Sequence, residues 1–170
     1  MEELVVETDV RVPPEEAFAF LRDFPGYVRY SQYLDGIEQY GDGDPGTRYH
    51  LNLSWWRVSY TAVTEVTDID PPERIHWRVL RAVDAHGFWD VTPIDDGDAS
   101  HVQLHIRFDA DSADASVLNL PRLVSLSWVI EKLRPLVREE ATSTVERIVA
   151  DLEGERRPVD LTVRRSTIED

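Results

Sequence analysis

The sequence contains no cysteine, one methionine and a single lysine, Lys132, among its 170 residues. Without cysteine, neither disulfides nor thiolate chemistry are available. No apolar run approaches the length of a membrane span. The N-terminal segment MEELVVETDV is acidic where a signal peptide needs a basic start and an apolar stretch, so we expect a cytoplasmic protein. The length suits one domain with a full core better than two.

Basic residues are also scarce: 18 Lys and Arg stand against 33 Asp and Glu, for a formal net charge of −15. A chain this acidic repels phosphate backbones and anionic membrane surfaces, which argues against nucleic acid as a partner. The acidic residues are spread along the chain rather than gathered in a tail. Scarce lysine and abundant aspartate are typical of proteins from extremely halophilic archaea.

The salt dependence of stability tests this halophile hypothesis. Self-repulsion between surface carboxylates is tolerable in a very salty cytoplasm, because the Debye length is only about 3 Å at 1 M salt. We therefore expect the free energy of unfolding to rise with salt concentration. Complete folding at about 10 mM salt, where screening is weak, would contradict the hypothesis.

Alternation of apolar and polar residues predicts seven strands joined by turns rich in Gly, Asp and Pro. In the first strand, for example, Val6, Val10 and Val12 alternate with acidic and basic residues. An antiparallel sheet that packs one face on the core and exposes the other to solvent requires one apolar face on each strand. The predicted strands lie near residues 3–12, 35–41, 46–56, 58–66, 75–79, 87–91 and 100–109.

Three helical segments are predicted. Pro14 can occupy a first helical position, followed by acidic residues that the helix dipole favours, and Pro25-Gly26 ends this helix before a second short helix or turn. Residues 121–153 carry an apolar stripe at steps of three and four. Pro135 lies within this long segment and is expected to kink it or mark a joint. Residues 154–170 lose the periodicity and are expected to form a loose tail, with a short extra strand possible near 159–163.

Motifs that resemble catalytic or metal sites are weak. Gly41-Asp-Gly43-Asp-Pro-Gly46 has the letters of a dinucleotide fingerprint, but its aspartates would repel a pyrophosphate and a strand follows it, which favours a hairpin turn. His101 and His105 share a strand face at about 13 Å, too far apart to chelate one ion. His86 or Asp90 could serve acid–base chemistry, although both face away from Trp89 on a regular strand. We therefore assign no catalytic residue, metal ligand or cofactor.

Aromatic residues are the more serious functional signal, because five Trp and six Tyr are many for one domain of this size. Most of them fall on the strand faces predicted to point inward. They are compatible with plain core packing, and equally with an apolar cavity that holds a small molecule.

The order of elements and the segment VRVPPEEAFAFLRDFPGYVRYSQYLDGIEQYG resemble the START/Bet v 1-like (SRPBCC) superfamily. The resemblance lies in a strand, a proline- and glutamate-led helix start, and an aspartate before a tyrosine-containing turn. The run Asp23–Tyr27 is most similar to the polyketide cyclase/dehydrase and coenzyme Q-binding START-like branch. The residues that stand at these places are Pro14, Glu16, Ala17, Phe18, Asp23 and Tyr27.

This resemblance implies an α+β helix-grip fold over residues 1–153. In that fold a curved seven-stranded antiparallel sheet wraps around a long C-terminal helix, with two short helices after the first strand and a tail at 154–170. The implied function is binding or carriage of a hydrophobic small molecule, quinone-like or lipid-like, in an internal cavity. Two alternatives stay open: a polyketide cyclase/dehydratase-like enzyme, and a protein-interaction module of the same fold.

The predicted ligand-binding residues form two walls. The sheet side is expected to comprise Tyr49, Leu53, Trp55, Tyr60, Trp77 and Trp89. The helix side is expected to comprise Leu126, Ile130, Leu133 and Val137.

Overall fold

The structure is a computed structural model that describes residues 1–81, 83–109, 112 and 120–167. Within these ranges the side chains of residues 126, 127, 130, 133, 134, 136–138 and 167 lie outside the description. The helices are α1 (Pro14–Arg22) and α2 (Leu126–Glu153), and two short 3₁₀ helices span Phe24–Arg29 and Asp95–Gly97. The strands are β1 (Glu2–Val10), β2 (Leu34–Tyr40), β3 (Arg48–Trp55), β4 (Val58–Asp70), β5 (Arg74–Val79), β6 (Asp84–Ile94), β7 (Ala99–Asp109) and β8 (Thr162–Thr167).

These strands form one antiparallel sheet in the order β2-β3-β4-β5-β6-β7-β1-β8. The predicted helix-grip architecture is confirmed, with eight strands in place of seven. The additional strand comes from the expected tail, where residues 162–167 pair with the edge of β1 from Glu2 to Glu7. Edge pairing of this kind satisfies backbone groups and needs no buried side-chain pattern, which is why periodicity did not reveal a full strand.

The two ends of α2 have specific capping residues. Ser125 is the N-cap, and its hydroxyl accepts a hydrogen bond from the backbone N–H of Trp128 at 3.2 Å. At the other end Gly154 adopts a left-handed backbone (φ 76°) and closes the helix. The helix thus begins five residues later than predicted, because Ser125 supplies the cap. Pro135 lies inside it without dividing it into two helices. No described helix is long and apolar enough to cross a membrane.

The hydrophobic core lies where α1 and the C-terminal half of α2 meet the concave face of the sheet. Phe18 and Leu21 of α1 are buried there, and Val149 of α2 is fully buried. Ser100 is also fully buried and donates a hydrogen bond to the carbonyl of Val12 at 2.8 Å, which joins the chain after β1 to β7. This core packs α2 against one end of the sheet, and a cavity remains between the helix and the rest of the concave face.

The outer face of β1 and β7 carries a cluster of charged and polar groups. Nδ1 of His101 lies 2.5 Å from Oδ1 of Asp9, and its Nε2 lies 3.5 Å from Oε2 of Glu7. The hydrogen bond to Asp9 raises the pKa of His101 above its ordinary value of 6.5, against the opposing effect of burial.

A raised histidine pKa predicts a defined pH dependence of stability. The folded state then binds a proton that the unfolded state has released, so the stabilisation is complete below about pH 6.5 and is lost as pH rises through the folded pKa. For this half-exposed group we expect less than about 1 kcal/mol. Urea unfolding of the wild type and of His101→Gln would measure this contribution to the free energy of unfolding. The measurements should run from about pH 5.5 to about pH 9, so that they cover both sides of the ordinary histidine pKa. An equally steep decline in His101→Gln would show that another group is responsible.

Candidate functional site

A cavity of about 810 Å³ lies between the concave face of the sheet, the segment from α1 to β2, and α2. This volume is within the range of small-molecule sites, roughly 300–1,000 Å³. Its lining is almost wholly apolar. The residues that line it are Val6, Glu7, Thr8, Val10, Ala17, Phe20, Leu21, Tyr27, Tyr30, Ser31, Tyr33, Leu34, Leu53, Ser54, Trp55, Val58, Tyr60, Trp89, Val102, Leu104, Val129, Glu140, Ala141, Thr144, Val145, Ile148, Val149, Leu152 and Leu161.

Strand registers explain how the sheet supplies one wall. Leu53 lies directly opposite Tyr60 across β3 and β4, and the next inward pair along the hairpin is Trp55 with Val58. On the far side of the sheet Trp89 lies opposite Leu104. Since side chains alternate between faces along a strand, each of these pairs points to the same concave side.

The opposite wall comes mainly from the second half of α2, and Val129 near the start of the helix also contributes. Ala141, Val145, Ile148 and Leu152 follow one another at steps of three and four, so they share one face of the helix. The helix wall predicted from the sequence begins about four turns earlier. Leu126, Ile130, Leu133 and Val137 lie in α2, but their side chains are outside the described part of the chain.

The third wall is the aromatic segment after α1, which contributes Tyr27, Tyr30 and Tyr33, together with Phe20 of α1. Hydrogen bonds tie this segment to α2 at Tyr30. The Tyr30 hydroxyl donates to Asp151 at 2.8 Å, and its carbonyl accepts from Arg147 at 2.9 Å and from Thr144 at 3.2 Å. These three bonds fix the distance between the segment and the helix, and therefore the width of the cavity there.

Hydroxyl groups of the lining are largely bonded to other parts of the protein. The Tyr27 hydroxyl donates to the carbonyl of Leu21, and the Tyr60 hydroxyl donates to the carbonyl of Arg81 at 3.1 Å. Burial raises the pKa of Tyr60, and burial together with the nearby Asp23 and Tyr49 raises the pKa of Tyr27 further. Both phenols therefore stay protonated and present mainly their rings to the cavity.

Two carboxylates belong to lining residues, and they differ in their surroundings. Glu7 is bonded to Gln103 and to Arg164, 3.0 Å away, on the outer face of the sheet, so its carboxylate points away from the cavity. Glu140 is largely buried, with 16% of its side chain exposed. Its Oε1 lies 3.4 Å from the hydroxyl of Thr144 and 3.7 Å from Nη1 of Arg147. Among the described residues, Glu140 is thus the lining carboxylate that is not held on the outer face of the sheet.

Of the six residues predicted on the sheet side, Leu53, Trp55, Tyr60 and Trp89 line the cavity. Tyr49 does not, because its ring packs against Phe24 at 4.6 Å and is 2% exposed within the core. Trp77 also lies outside the lining, although it shares the concave face. Gly87 is its cross-strand partner, and the indole edge fills the space that a side chain at Gly87 would occupy.

The two residues considered for acid–base chemistry are not part of the cavity. His86 is exposed, and Asp90 forms an ion pair with Arg74 at 3.3 Å. Lining residues that the sequence interpretation missed include Tyr27, Tyr30 and Ala141. The aromatic turn and the continuous stripe along α2 were visible in the sequence, but neither pattern shows which part of a helix covers the cavity.

Comparisons with known proteins agree with this architecture. A family model described as "Polyketide cyclase / dehydrase and lipid transport" matches residues 1–153. No curated protein matches the chain in sequence.

Among solved structures, the chain is similar to the ZhuI aromatase/cyclase from Streptomyces sp. R1128, with 18% identity, a TM-score of 0.67 and coverage of 90% of this chain and 94% of that one. It is also similar to a START superfamily protein from Mycobacterium smegmatis, with 17% identity, a TM-score of 0.61 and coverage of 89% and 99%. A conserved protein from Geobacillus kaustophilus gives 19% identity, a TM-score of 0.63 and coverage of 91% and 97%. At these identities the likeness shows a shared fold.

Proposed function

Because the chain belongs to the polyketide cyclase / dehydrase and lipid transport family, we propose that it binds and carries a hydrophobic small molecule in the cavity. The observation that carries the proposal is the cavity itself, about 810 Å³ in volume and almost wholly apolar in lining. Transfer of an apolar molecule from water into a space of this kind is favourable, because apolar surface is removed from water. We propose a lipid-like or quinone-like ring compound as the ligand.

Carriage is favoured over chemistry by the state of the polar groups. The hydroxyls of Tyr27, Tyr30 and Tyr60 are bonded within the protein, so the ligand meets rings and aliphatic side chains. An open cavity also differs from what a pure protein-interaction module of this fold requires, since that function needs no interior space. Among the described lining residues, Glu140 is the one whose side chain could take part in acid–base chemistry.

A cyclase-like enzyme is the second candidate, and Glu140 is the observation that favours it. A carboxylate beside an enclosed ligand can act as a general acid or base, and one similar structure is named as an aromatase/cyclase. The two functions differ in their response to Glu140→Gln, which keeps the shape of the side chain. Both functions predict unchanged ligand affinity in this variant, and only an enzyme of this type also predicts that turnover is lost.

Titration with a neutral, environment-sensitive naphthylamine dye tests the binding proposal. We expect saturable binding of one dye per protein with a blue-shifted emission, and displacement by a prenylated quinone or a long-chain alcohol. A dye that binds without saturation, or that neither compound displaces, would contradict the proposal. A neutral dye is chosen because the net charge of −15 would repel an anionic one.

A further inference from the structure

Three tryptophans come together between the β3–β4 hairpin and the start of α2. The ring centroids of Trp55 and Trp56 are 6.1 Å apart, those of Trp56 and Trp128 are 5.3 Å apart, and those of Trp55 and Trp128 are 6.3 Å apart. We call these three residues the tryptophan cluster. Trp55 lines the cavity, whereas Trp56 is 56% exposed and Trp128 is 37% exposed. Leu123, on the segment that leads into α2, is 98% exposed.

The backbone at Trp56 indicates that folding alone does not account for this residue. Trp56 and Arg57 form the two-residue turn between the paired residues Trp55 and Val58, and Trp56 has a φ of +52°. Asn, Asp and Gly adopt this left-handed conformation with the least strain and are the usual residues in such turns. A large aromatic side chain here is both strained and exposed to water. Strain that folding does not require points to a function for the residue.

The charge around the cluster is opposite to that of the protein. Residues 54–59 and 120–132 together contain three basic residues, Arg57, Arg122 and Lys132, and one acidic residue, Glu131. These segments therefore carry a net charge of +2 in a chain of −15. Two of the cations lie over tryptophan rings: the guanidinium of Arg57 is 5.6 Å from the centre of Trp56, and the Lys132 ammonium is 6.0 Å from that of Trp128.

We propose that the tryptophan cluster docks the protein on a lipid bilayer. Tryptophan rings with adjacent Lys and Arg side chains suit the interface between headgroups and acyl chains, where the ring is buried and the cation meets phosphate. An acidic protein is repelled by an anionic bilayer unless a basic face turns toward it, and the local charge of +2 orients this face. Docking therefore places the end of the cavity at Trp55 and Val58 next to the bilayer. The inference concerns the surface and does not require a loaded cavity.

Sedimentation with vesicles of phosphatidylcholine and phosphatidylglycerol in equal amounts tests this proposal through Trp56→Asn. We expect Trp56→Asn to bind vesicles about tenfold more weakly than the wild type, while its thermal unfolding midpoint stays the same or rises because the turn is relieved of strain. Loss of vesicle binding with retained stability separates a docking role from a structural one. Lys132→Gln is expected to weaken binding at low salt only, since screening removes the cation's contribution at high salt.

Tyr40→Asn is the matched control, because Tyr40 is 54% exposed and lies beside the opposite end of β3. It is expected to bind vesicles as the wild type does. Equal binding by Trp56→Asn and the wild type, or no binding by the wild type, would overturn the proposal. Self-association of the wild type that Trp56→Asn abolishes would also overturn it, because a second copy would then cover the cluster. A cavity variant such as Ala141→Trp should still bind vesicles, so this test is independent of the proposed ligand.

Discussion

Replacing Ala141 with tryptophan is expected to weaken binding of an apolar ligand by about tenfold, a loss of about 1.4 kcal/mol. Ala141 lies on the face of α2 that lines the cavity, one helical turn before Val145. An indole at this position occupies volume that a ligand would otherwise fill. The free energy of unfolding should change by less than about 1 kcal/mol, because the new side chain enters existing apolar space rather than a packed core. Dye titration and urea unfolding measure the two quantities on the same preparation.

Glu139→Trp is the matched control for Ala141→Trp. It adds the same side chain to the same helix, but at an exposed position two residues earlier. Ligand affinity should therefore stay at the wild-type value. Equal loss of affinity in both variants would indicate a general disturbance of α2, and equal retention in both would mean that the ligand does not occupy this cavity.

A second large effect is expected at Gly87, where a single methyl group should destabilise the fold by about 3 kcal/mol or more. A Cβ at this position would lie 2.0 Å from the carbonyl oxygen of His105 and 2.8 Å from Cζ2 of Trp77. Gly87 pairs with Trp77 of β5 on one side and with Ile106 of β7 on the other, so β6 cannot shift away without breaking a ladder. Since a domain of this size is stable by only about 5–15 kcal/mol, such a loss is readily measured in urea.

Gly36→Ala provides the comparison for Gly87→Ala, because it is also a strand glycine. A Cβ at Gly36 would meet nothing nearer than Nδ2 of Asn52 at 3.9 Å. We expect its free energy of unfolding to remain within about 1 kcal/mol of the wild type. Similar stability of the two variants would show that β6 can move away from the carbonyl of His105 and the ring of Trp77 at little cost, which would contradict the prediction.

Sequence alternation predicted much of the sheet because a pleated strand has a side-chain period of two. It identified the inward face of β3 and β6 correctly, yet a shared face does not mean a shared environment. Tyr49 and Trp77 point to the same side as Leu53 and Trp89. What removes them from the cavity is a neighbour distant in sequence: Phe24 covers Tyr49, and the missing side chain of Gly87 gives Trp77 a place to pack.

The helix wall and the eighth strand were harder to predict for different reasons. The apolar stripe of α2 continues through Ala141, Val145 and Ile148 without a break, so periodicity alone could not show which turns face open space and which face the core. β8 is held by backbone pairing with β1, and its residue Val163 is 53% exposed. A strand without a dry face leaves little signal in the sequence.

The most direct measurement of the central claim is mass spectrometry of an organic extract from protein purified without detergent from the cells that naturally make it. Ligand carriage predicts that a quinone-like or lipid-like molecule is recovered at close to one per protein from the wild type and from Glu139→Trp. It also predicts a lower recovery from Ala141→Trp, because a tenfold loss of affinity reduces an occupancy of about 0.9 to about 0.5. Recovery of no apolar molecule from the wild type, or of equal amounts from wild type and Ala141→Trp, would contradict the account.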